Sequence, residues 1–144
     1  MGFIFIMSSQ TGSESGNTSG GLINRVCSVI IPDFNDLEES KKSEIISKIS
    51  FPVRKLAHFT EYFILAVIIN IAAMQTKRKI SLSLSSLAIS FACGVLYAVS
   101  DEVHQLFVAG RAGTVTDVLI DSAGVAFGCV AFALVYKLIE KRKK

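Results

Sequence analysis

Residues 80–99 run for about 20 positions without a charged side chain, and that run constrains the fold more than any other feature. An apolar segment this long matches the roughly 30 Å thickness of a bilayer's hydrocarbon core when it is helical. In hydrocarbon the backbone must satisfy its own hydrogen bonds, which leaves the α-helix as the conformation for a single spanning segment. A second run, Val118–Tyr136, has the same character, and a third follows Pro52 and continues uncharged from Tyr62 to Met74. Hydrophobic residues make up 51% of the 144-residue chain against 19% charged, and the mean hydropathy is +0.51, values that fit a membrane protein better than a soluble domain. The expected fold is therefore all-α and polytopic, a single domain over 1–144 with three complete transmembrane helices.

Polar side chains are concentrated where these spans should end. Ser100, Asp101, Glu102, His104, Gln105 and Arg111 lie between the two later runs, and Asp117 and Asp121 extend into the last one. Before the first run, Arg54, His58, Glu61 and Tyr62 fall at i, i+4, i+7 and i+8 and share one helical face. An ionised side chain at the centre of a membrane helix costs at least roughly 2.5–3.5 kcal/mol, so such groups pair, line a wet cavity or carry function. Asp117, Asp121, Gly124 and Gly128 also lie on one face, where the glycines would let a neighbouring helix approach beside the aspartates.

The N-terminal third reads differently. Met1–Met7 is apolar but far too short to span, and fits the outer half of a partial first helix; residues 8–21 are a polar loop by composition. Leu22, Ile23, Val26, Val29 and Ile30 then fall at helical spacing up to Pro32. Asn35 is a candidate N-cap for a second amphipathic helix with the stripe Leu37, Ile45, Ile46 and Ile49, and Pro52 is expected to begin the first full span. Segment 8–53 would then be interfacial, 54–136 the helical core and 137–144 a basic tail.

Basic residues set the expected orientation. Lys77, Arg78 and Lys79 in the short loop, and Lys137, Lys141, Arg142, Lys143 and Lys144 in the tail, mark both as cytoplasmic. Ser100–Arg111 and the face carrying Arg54 would then share the outer level. The net charge of +3 comes in short runs without interleaved aromatics, which argues against nucleic-acid binding. Cys27, Cys93 and Cys129 form no CxxC pair and read as small core residues.

Three readings of the polar residues stand side by side. In the first, Arg54 and Arg111 receive an anion bidentately, His58, His104 and Tyr62 donate, Glu61, Asp101, Glu102, Asp117 and Asp121 hold the arginines in place, and Gln105 belongs to the same binding set. The ligand would be a lipid phosphate or pyrophosphate head group, or a cell-wall precursor, and no cofactor is implied. In the second, the histidines and acids form a hydrolase or transferase site, although there is no HExxH motif and no Ser-His-Asp candidate with a G-x-S-x-G elbow. In the third, an arginine pairs with Asp117, Asp121 and Glu61 only to pin helices together. Gly110 and Gly113 read as turn residues tolerating positive φ.

Taken in order, Arg54, His58, Glu61 and Tyr62, then Ser100, Asp101, Glu102, His104, Gln105, Arg111 and Gly113, then Asp117, Asp121, Gly124 and Gly128 resemble the VanZ-like family over residues 50–130. Ser8-Ser9-Gln10 after an apolar run resembles that family's first-helix exit. The resemblance implies a small polytopic protein of a bacterial cytoplasmic membrane and a link to low-level resistance to the glycopeptide teicoplanin. It implies no settled reaction.

Overall fold

The computed structural model describes residues 12–75 and 83–143. The partial helix expected over residues 1–7, Ser8-Ser9-Gln10 and the basic turn Lys77–Lys79 lie outside the described residues. Among the described residues four helices follow in order: α1 (Gly12–Ile30), α2 (Glu39–Gln75), α3 (Leu84–Gln105) and α4 (Val115–Arg142), with a 3₁₀ turn at Phe34–Asp36 between the first two. The last three are long and apolar enough to cross a membrane.

The N-terminal third departs from the sequence reading in four places. Helix α1 begins at Gly12, so residues 12–21 are helical where composition suggested a loop. Extending an existing helix costs far less than nucleating one, and the packed half of α1 supplies the nucleus. Of its expected apolar stripe only Ile23 is buried, together with Cys27; Leu22 and Val29 stay 61% and 85% exposed. Asn35 sits inside the 3₁₀ turn and caps nothing, because buried Phe34 anchors that turn and Leu37 leaves it in an extended conformation. Finally, Pro52 lies within α2 instead of starting it. Packing on both sides offsets the hydrogen bond that the proline removes. Upstream, Ile45, Ile46 and Ile49 pack with Ile23, Cys27 and Phe34; downstream, Tyr62, Leu65 and Ala66 enter the main core.

That core is small: Tyr62, Leu65, Ala66, Ala98, Val125 and Cys129, with Ile69, Leu87 and Tyr97 against it. Bulky side chains such as Ile68, Leu96 and Phe127 point outward at 56%, 68% and 63% exposure. Small residues inside and large apolar ones outside suit a bundle surrounded by lipid. Cys93 is exposed among the outward side chains, contrary to the expectation of a core residue, while Cys27 and Cys129 are buried. Buried Asn70 donates from Nδ2 to the Ala66 carbonyl at 2.8 Å and to Cys129 Sγ at 3.4 Å, tying α2 to α4.

Helices α2 and α4 run parallel and α3 antiparallel to both, a consequence of three consecutive crossings. Close approach of α2 and α4 depends on two glycines. A Cβ at Gly124 would strike the Phe59 carbonyl oxygen, and one at Gly128 would lie 2.5 Å from the Phe63 oxygen. Gly94 serves α3 similarly, with Val125 Cγ1 2.6 Å from where its Cβ would be.

Candidate functional site

Alternating crossings bring the early turns of α2's apolar half, the last turn of α3 and the first turns of α4 to one end of the bundle. Helix α3 continues through Gln105, so Ser100–Gln105 is helical and its buried stripe Ser90, Gly94, Ala98 ends in Asp101, Glu102 and Gln105. Thr114 caps α4 by accepting the Asp117 N–H on Oγ1 at 3.2 Å.

The connection between α3 and α4 is fastened by Glu102. One of its carboxylate oxygens accepts the Thr114 N–H at 2.9 Å and the other accepts from Gln105 Nε2 at 3.3 Å. The same amide nitrogen donates to Asp101 Oδ2 at 3.2 Å. Gly110 adopts a positive φ of 73°, as a turn residue should. Gly113 does not; it is needed because a Cβ there would collide with the Glu102 carbonyl oxygen. Seated in this way, the loop presents half-buried Arg111 toward Arg54, Asp101 and Glu102. Burial, then the Arg54 charge, lowers the pKa of the Arg111 guanidinium, and Asp101 and Glu102 raise it. An arginine remains protonated throughout.

Asp117 forms an ion pair with Lys55, both side chains about four-fifths buried. The expected pairing of Asp117 with an arginine is thereby corrected: the register imposed at Gly124 and Gly128 sets Lys55 opposite Asp117. Lys55 also lies over the Phe51 ring, 5.0 Å from its centroid. The sequence reading overlooked Lys55, although it shares a face with His58 and Tyr62 at i+3 and i+7 and is as costly as Arg54 at the edge of an apolar run.

One turn deeper, His58 Nδ1 faces Asp121 Oδ1 at 3.7 Å, too long for a hydrogen bond. Asp121 is completely buried, and neither of its carboxylate oxygens has a hydrogen-bond partner among the described residues. The equally buried Tyr62 hydroxyl and the buried Arg54 Nε likewise have none. Asp101, Glu102 and Glu61 all lie near enough to act on Asp121. The structure thus brings together Arg54, His58, Glu61, Tyr62, Asp101, Glu102, Gln105, Arg111, Asp117 and Asp121, and adds Lys55. His104 is half-buried at the flank of α3's last turn. Among the described residues, no three His, Cys, Asp or Glu side chains are grouped as metal ligands.

A family model described as VanZ/LLP1 matches residues 1–136. No curated protein and no solved structure matches the chain.

Proposed function

This chain belongs to the VanZ/LLP1 family, and from that premise we propose that it binds the phosphate or pyrophosphate head group of an anionic envelope lipid or lipid-linked wall precursor. The observation that carries this reading is Arg54. It makes no hydrogen bond or ion pair among the described residues, and its Nε is buried. Its charge also acts against that of Arg111. Two like charges this close in a partly buried setting repel each other. An anion between them would turn that repulsion into two bidentate contacts, which the planar guanidinium fork suits.

Asp101 and Glu102 act on Arg111 from the end of α3, while Asp117 is engaged by Lys55, so Arg54 is the guanidinium with the most to gain from an anion. The basic loop and tail favour placing this end at the outer face of a bacterial cytoplasmic membrane. Occupying wall precursors there would alter susceptibility to glycopeptides such as teicoplanin.

A second reading, a network that only pins helices, is favoured by the Lys55–Asp117 pair. Arg111→Lys separates the two when membrane abundance and teicoplanin susceptibility are measured together. Head-group binding predicts near-normal abundance with the phenotype lost, because an ammonium lacks the planar fork. Reduced abundance with unchanged susceptibility per molecule would defeat the binding reading.

A further inference from the structure

Anion binding at the two arginines leaves the layer beneath them without a role. Asp121 is fully buried with both oxygens unpartnered among the described residues, and it faces His58 Nδ1 across 3.7 Å. The unpartnered Tyr62 hydroxyl is buried close by, near enough for Asp121 to act on it. A buried polar group left unsatisfied is costly to keep. Packing alone would be better served by apolar residues of the same size.

His58 stands one helical turn from Arg54, with charged groups on every element around it: Arg54 and Lys55 on its own helix, Asp101 on α3, Arg111 on the connecting loop and Asp121 on α4. At 3.7 Å Asp121 makes no hydrogen bond to Nδ1 in this structure; a contact of this kind, tightened once the site is loaded, has two effects on an imidazole. It favours the tautomer whose proton is on Nδ1, leaving the Nε2 lone pair available, and it stabilises the imidazolium once Nε2 has taken a proton. Here that arrangement adjoins two guanidiniums suited to hold non-bridging phosphate oxygens and to stabilise charge that builds on them.

We infer that the protein hydrolyses the head group it binds, a lipid pyrophosphate, with His58 as general base and Asp121 as the residue that positions it; this rests on the anion-binding reading of Arg54 and Arg111. A water oxygen forms the new bond to the terminal phosphorus while one of its protons passes to His58 Nε2. The bond from that phosphorus to the bridging oxygen breaks, and the bridging oxygen keeps the electron pair, leaving as the lipid monophosphate. Inorganic phosphate is the other product. His58 then releases its proton to solvent or to the departing phosphate.

The test uses the full chain purified in detergent, with farnesyl diphosphate as the probe and a chelator present. Its non-hydrolysable methylene-bridged analogue reports binding separately. Wild type should release inorganic phosphate. His58→Gln should lose at least about 100-fold in turnover while still binding the analogue, in keeping with the usual contribution of a general base. Turnover should rise with pH as His58 becomes neutral. Asp121→Asn should lower kcat with little change in KM or in binding of the analogue; a purely structural Asp121 would lower the yield of folded protein and leave kcat per folded molecule in place.

Binding of the analogue without phosphate release by wild type would overturn hydrolysis and leave the binding reading intact, whereas no binding would overturn both. Undiminished turnover in His58→Gln would remove its role as base. Inorganic pyrophosphate, assayed alongside, distinguishes the source of the substrate: hydrolysis of it in place of the farnesyl compound would overturn the lipid assignment.

Discussion

Replacing Lys55 by Met removes one member of the ion pair with Asp117 while keeping most of the side chain's apolar volume. Severing a fully buried pair costs about 3–5 kcal/mol, chiefly because the partner charge is left without compensation. Here the side chains keep 22% and 18% of their exposure, so some water reaches both, and the expected loss falls to about 2–3 kcal/mol. The stranded carboxylate would also begin the helix that carries Asp121 one turn further on. Asp117→Asn should cost a similar amount, since it strands the ammonium. The double variant leaves no isolated charge and should recover about half of the summed losses, a coupling of roughly 2–3 kcal/mol. Reversible unfolding in mixed micelles, with all four proteins compared in a double-mutant cycle, measures it. Strictly additive losses, or a Lys55→Met cost below about 0.5 kcal/mol, would refute the claim that this pair ties α2 to α4.

Gly124→Ala sets a Cβ against the Phe59 carbonyl and should destabilise the bundle by about 1–3 kcal/mol, which the same unfolding assay reads. Cys93 is exposed while Cys27 and Cys129 are buried, so a membrane-soluble maleimide should modify Cys93 first in the folded protein, as peptide mass mapping would show. In a cysteine-free background, Ala109→Cys should react with an impermeant reagent on intact cells; labelling only after lysis would reverse the orientation inferred from the basic residues.

Much of this architecture is decided locally. Residues 80–99 and 118–136 announce helices because hydrocarbon tolerates no unsatisfied backbone, and the spacing of Arg54, His58, Glu61 and Tyr62 assigns them one face whatever they touch. Positions relative to other helices are not local, and there the structure alone decides. Asp117 meets Lys55 instead of an arginine because the carbonyls of Phe59 and Phe63 seat on Gly124 and Gly128 and set the register of α2 against α4. Pro52 stays within a helix because contacts from α1 before it and from the main core after it outweigh its own preference. Cys93 faces outward because the face of α3 turned inward is given to Ser90, Gly94 and Ala98, small enough for close packing. Periodicity shows which side chains share a face, but which face meets which depends on steric fit between helices far apart in the chain, and that information appears only when they pack.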